Sequence, residues 1–179
     1  MAEIAGLTLI TPSSVAGSGV SLSGAKVVFT AATTININGV FSATHDNYLI
    51  IIRGVCASGT PSIRVRMRVS GTDATGSNYA RQYLDADNTS VTGARSTSVT
   101  EANAVPMSDV ARSGGHLYVY GPFLSQPTAM RGVSANGQNS AHITDHASTH
   151  SLSTSYDGIT LFPSSSNITG ALTIYGLSQ

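Results

Sequence analysis

The 179 residues carry nine basic and nine acidic side chains, so the formal net charge is zero and only 10% of the chain is charged. That balance excludes the basic surface a phosphate backbone demands, and the low charge excludes the Glu, Lys and Arg stock of coiled coils and helical arrays. Serine and threonine together number 46 and glycine 18, a composition that describes one hydroxyl-rich, mostly β domain with a lean core.

Residues 11–24, TPSSVAGSGVSLSG, offer little to bury. Residues 1–24 are therefore expected as an extended N-terminal arm, and 25–179 as a single antiparallel β-sandwich. Glu3 and the lack of an early Lys or Arg remove the charged start of a secretory signal, so synthesis in the cytoplasm without a signal peptide is expected. From Lys26 onward, short runs rich in Val, Ile, Thr and Tyr alternate with Gly, Pro, Asn and Asp clusters. Strands are expected at 25–30, 33–38, 47–55, 62–69, 79–84, 116–123, 127–134, 141–152, 158–162 and 168–176. The longest apolar run, Tyr48 to Ile52, is closed by Arg53 and is far too short to span a bilayer. Being apolar on both faces, it reads as a central strand covered on both sides, with Phe41, Ile63, Val65 and Met67 joining it in the core. Cys56 at its end reads as a buried, inert thiol. No dozen residues hold a 3.6-residue apolar period, and the best helical candidate, Glu101 to Val110, is broken by Pro106.

Groups able to do chemistry are few. Gly19 to Val27 has the gap of a phosphate loop, but Lys26 does not directly follow Gly24. There is no nucleophile elbow, no zinc-protease pair of histidines and no cysteine pair. Asp85 and Asp87 fall in a turn-like stretch where carboxylates cap backbone amides. No enzyme activity and no cofactor are expected. Three polar stripes stand out. Arg64, Arg66 and Arg68 share one face of a strand, roughly 6.6 Å apart, and repel one another unless acids or solvent lie opposite; they suit a surface or subunit contact, or an anionic polysaccharide. His142, His146 and His150 share a strand face at roughly 13 Å spacing, too far apart to close a metal site within one chain. Rings of three imidazoles on a threefold axis could close one; otherwise the stripe is a polar or subunit contact. His116, Tyr118 and Tyr120 form a third stripe able to stack on sugar rings.

The segment from Thr34 through Gly39, Phe41, Asp46, Asn47 and Tyr48 to Ile50 is similar to a motif of tailed-bacteriophage minor tail, tail-fibre and other virion surface proteins. Ile63 to Asp73 followed by Tyr79, and the close from Asn167 to Leu177, resemble the same group. The resemblance covers under half of the chain. It implies a jelly-roll-like sandwich, usually a trimer, displayed on a virion. Because an arm with little to bury orders most simply by lying on a neighbour, residues 1–24 are expected to hold this homotrimeric knob to other proteins of the tail tip or capsid. Its alternative is a carbohydrate-binding module that recognises host-surface polysaccharide. Neither reading involves nucleic acid or membrane insertion, and neither supplies a catalytic residue.

Overall fold

The computed structural model describes residues 6–136 and 142–177, and every helix or strand element among them is a strand. Three short strands come first: β1 (Leu7–Ile10), β2 (Ser14–Ala16) and β3 (Val20–Ser23). Next come β4 (Lys26–Ala32), β5 (Ile35–Asn38), β6 (Asn47–Cys56), β7 (Ser62–Val69) and the two-residue β8 (Thr72–Asp73). A hairpin of β9 (Tyr79–Asp87) and β10 (Ser90–Val99) leads to β11 (Ala102–Pro106). A meander of β12 (Ser113–Tyr120), β13 (Thr128–Asn136) and β14 (His142–His150) follows, then β15 (Gly158–Pro163) and β16 (Ile168–Leu177).

Ten strands form one antiparallel sheet in the order β10-β9-β14-β13-β12-β6-β16-β4-β3, with β1 also paired to β16. Six form the second, β11-β7-β15-β5-β2, with β8 on β7. From β4 onward the chain passes repeatedly between the sheets, the crossing pattern of a jelly-roll-like sandwich. The inner faces meet in one core. From the large sheet come Phe29, Tyr48, Ile50, Ile52, Leu117, Val119, Leu172 and Ile174; Ile35, Ile37, Ile63, Val65, Met67, Ile159 and Leu161 come from the small one. The two-residue alternation of β7 and β12 follows directly from this arrangement, since each has one face in that core.

Two buried phenols fasten the loops. Tyr48 Oη accepts from the Ser42 amide at 2.8 Å and donates to the Ser42 carbonyl at 3.0 Å, with Phe41 edge-on at 4.7 Å. Tyr79 Oη likewise accepts from Met67 N and donates to Ala74 O, each at 3.0 Å. Cys56 is buried, as expected, its thiol 2.9 Å from the Gly59 carbonyl, and burial raises its pKa.

The structure differs from expectation in five places. The segment expected as an arm is woven into both sheets: β1 pairs with β16, β2 with β5 and β3 with β4. Two of its glycines, Gly17 and Gly19, serve close approach. Both have positive φ, and a Cβ on either would collide with the carbonyl of Thr34 or Thr30. β10 has only Val91, Ala94 and Val99 as apolar side chains and is mostly exposed; it exists because a two-residue turn, with Asn88 in the left-handed region, returns the chain against β9. Asp85 and Asp87 consequently lie on β9 and not in the turn. Residues 102–106 of the helical candidate form β11, which pairs with β7. Finally, β6 is central but covered on one side only, leaving Ile51 44% exposed on the outer face.

Candidate functional site

The outer face of the ten-stranded sheet carries the aromatic stripe. His116 meets Tyr118 edge-on at 5.4 Å, and Tyr118 stacks parallel to Tyr120 at 6.0 Å. Tyr118 and Tyr120 turn faces toward each other along β12, which leaves less open face for a sugar than an isolated ring would offer. In register beside them are Leu49 and Ile51 on β6, then Tyr175 on β16 and Leu9 on β1. On the other flank the register leads through Val133 of β13 and Asp145 of β14 to Leu84 of β9. Arg131 makes a two-pronged contact with Asp145 there, at 3.2 and 2.6 Å, and that bond is the main reason the Asp145 carboxyl lies below its ordinary range. Leu7, Leu9, Ile51, Leu84, Ile143 and Tyr120 are all at least two-fifths exposed on this face.

The three arginines of β7 do share the face opposite the core, but their surroundings differ. Arg68 is buried and bonds Asn38 Oδ1 and Asn36 Oδ1 at 3.1 Å and Thr160 Oγ1 at 2.8 Å; it also contacts Asp73 and the Gly71 carbonyl. It ties β5, β7, β8 and β15 together, so it is a structural group and no free surface charge. Arg66 donates to the Thr100 carbonyl at 3.2 Å, lies 3.7 Å from Glu101 and sits over the Phe162 ring at 4.7 Å. Arg64 donates to Asn103 Oδ1 at 2.6 Å and makes no direct ion pair among the described residues. Burial, and then the nearby Arg81 charge, lower the Arg64 pKa, with Glu101 opposing.

The histidines of β14 also share a face, and it is the inner one. His150 is fully buried, stacked on Tyr79 at 4.1 Å, with Nε2 2.5 Å from Tyr156 Oη. His146 is 3% exposed, and neither ring nitrogen has a hydrogen-bond partner among the described residues. His142 Nε2 lies 3.1 Å from Asp87 Oδ1, and its Nδ1 lies 3.7 Å from Asp85. The expectation of subunit-contact imidazoles at 146 and 150 is therefore corrected: both rings face the interior of the sandwich and are at most 3% exposed. Among the described residues no three His, Cys, Asp or Glu side chains are grouped to hold a metal ion.

Where the β9–β14 end of the large sheet passes the β7–β11 edge of the small one, a cleft of about 470 Å³ opens. It gathers Arg64, Arg81, Tyr83, Asp85, Asn103 and His146 from four strands. Arg81 Nη1 bonds Glu101 Oε1 at 2.9 Å, and Thr144 Oγ1 donates to Asp85 Oδ1 at 2.7 Å. Burial alone would raise the Glu101 carboxyl, but hydrogen bonds from Thr100 and Arg81 and the charges of Arg81 and Arg64 outweigh it and hold it low. Arg64 and His146 are each visible in the sequence within a stripe; Arg81, Tyr83 and Asn103 carry no sequence signal, because only the fold brings β9 and β11 to β7.

Burial depresses the His146 pKa to about 4; the charges of Asp145 and Asp85 oppose this and that of Arg64 adds to it. The imidazole is neutral at pH 7. As pH falls below about 6.5 the unfolded chain takes up a proton that the folded one refuses until about pH 4, so stability is lost across that window. Glu101 and Asp145, held below their ordinary range, add losses that begin as pH falls through about 4.5 and 3.8, and these are shared by the wild type and the His146 variant. Denaturant unfolding at pH 7 and 4.5 should show the wild type losing about 2 kcal/mol more than His146→Gln. Equal losses would mean that His146 is already solvated in the folded state.

No protein-family model matches the chain, and no curated protein does. What fold and site define is a class, an all-β antiparallel two-sheet sandwich with a polar cleft between the sheets. Among solved structures the chain is similar to domain 4 of AbnA, a GH43 extracellular arabinanase from Geobacillus stearothermophilus, solved in complex with arabinotriose. The identity is 10% and the TM-score 0.35, over 96% of this chain and 82% of that one, too loose a likeness to identify a family or a ligand.

Proposed function

We propose that the protein is a structural component of a virion surface, a β-sandwich whose copies associate as a homotrimer through the outer face of the ten-stranded sheet. The observation that carries the association is the set of exposed apolar side chains on that face: Leu7 in the register row of Tyr120, Leu9 in that of Tyr118, Ile51 and Leu84 in that of His116, and Ile143 one row further along. Apolar side chains grouped on a soluble surface mark a contact, and a second copy is the occupant whose chemistry matches. The face carries both signs in its Arg131–Asp145 pair, and the whole chain has no net charge to repel a copy. The virion setting rests on the motif resemblance at 34–50, 63–79 and 167–177.

The test is the protein's place in purified particles. Quantitative mass spectrometry of particles, with antibody labelling, should find the chain at a fixed copy number divisible by three. A few copies at one vertex would make it a tail device and hundreds a capsid decoration. Absence from the particles would overturn the virion reading.

A further inference from the structure

We propose that the cleft between β7, β9, β11 and β14 binds the carboxylated ring of an acidic sugar, a hexuronate or a close relative. The proposal is independent of how copies of the chain associate, since the cleft lies away from the outer face of the large sheet.

His146 gives the clearest sign of a ligand. Buried polar groups are almost always hydrogen-bonded, yet this imidazole is 3% exposed, lines the cleft and has both nitrogens without a partner among the described residues. A neutral imidazole offers one donor and one acceptor, the pair that a sugar hydroxyl satisfies in return. The charges around it are arranged unevenly. At one side Arg64 and Arg81 both line the cleft; Glu101 pairs with Arg81 and lies 3.7 Å from Arg66 behind it, leaving Arg64 without a direct ion pair among the described residues. Such an excess of guanidinium suits a carboxylate, which it can grip with two parallel hydrogen bonds. At the other side Asp85 and Thr144 present oxygens that accept from hydroxyls. Tyr83, 5.9 Å from His146 and also lining the cleft, supplies an apolar ring surface between the two ends. A ligand that fits all of these carries one carboxylate, several hydroxyls and an apolar ring face. The volume of about 470 Å³ lies within the usual range for a small-molecule site.

The experiment is an amide chemical-shift titration of the full chain with glucuronate and with trigalacturonate, using glucose and acetate as controls. The expected result is saturable shifts at Tyr83, Asn103 and His146, with at least one of the two acids binding about tenfold or more tighter than glucose or acetate. Comparable binding of both acids indicates a free sugar acid as the natural ligand; much tighter binding of trigalacturonate indicates a polysaccharide. Arg64→Gln should weaken the tighter acid about tenfold or more while leaving the unfolding midpoint nearly unchanged. The shift map on the wild type stands even if that variant folds poorly. No saturable shift with either acid, shifts confined to His116 and Tyr118, or glucose or acetate binding as well as the acids would overturn the proposal.

Discussion

Replacing Arg68 by Met is expected to destabilise the sandwich by about 3–5 kcal/mol, the range for removing one partner of a buried ion pair. The side chain is 8% exposed, and its loss leaves Asp73, at 20% exposure, without its cation, removes the donor of Asn38 Oδ1 and leaves Asn36 Oδ1 with Thr160 Oγ1 alone. Four strands of the small sheet lose their common tie. Arg66 on the same face provides the comparison. At 27% exposure and 3.7 Å from Glu101, with a ring beneath it, its replacement by Met should cost about 1 kcal/mol or less. Denaturant unfolding of the two variants under one condition checks the contrast. Equal costs would mean that the Arg68 cluster contributes no more than a surface pair.

The second large effect concerns association. The double substitution Ile51→Glu and Leu84→Glu places two carboxylates on the outer face of the ten-stranded sheet, at sites 44% and 53% exposed in the single chain. Neither side chain belongs to the core, so the unfolding midpoint of the isolated chain should move little. In the assembled form both would be buried without a cation, and each uncompensated charge costs several kcal/mol. The dissociation constant should rise about a hundredfold or more, which is read directly by sedimentation. The control Val69→Glu, at 37% exposure on the small sheet, should leave association unchanged.

Those contrasts also show how far residue pattern alone reaches. Where one face of a strand enters the core the pattern is unambiguous, and β7 and β12 display it through Ile63, Val65 and Met67 and through Leu117 and Val119. Strands held mainly by pairing leave no such trace. β10 is specified by the turn at Asn88, and β2 by its backbone bonds to β5; each sets one partly buried valine, Val99 and Val15, against the core. The N-terminal segment illustrates the same limit, since its Gly and Ser composition suits both a loose arm and a tightly apposed edge. The stripes were legible as faces but not as inner or outer. Period two places His142, His146 and His150 together, yet only the register of β14 between β13 and β9 turns that face inward. The cleft was the least legible feature, because its residues are close only after β11 has joined β7 in the small sheet and the β9–β14 end of the large sheet packs beside them.

Association through the outer sheet face is the central claim, and the molar mass of the wild-type chain by light scattering from about 1 to 100 micromolar tests it most directly. A mass near three times the 18.4 kDa of one chain, falling toward one chain in the Ile51→Glu, Leu84→Glu variant, is the predicted result. A wild-type chain that stays at 18.4 kDa throughout that range would contradict it.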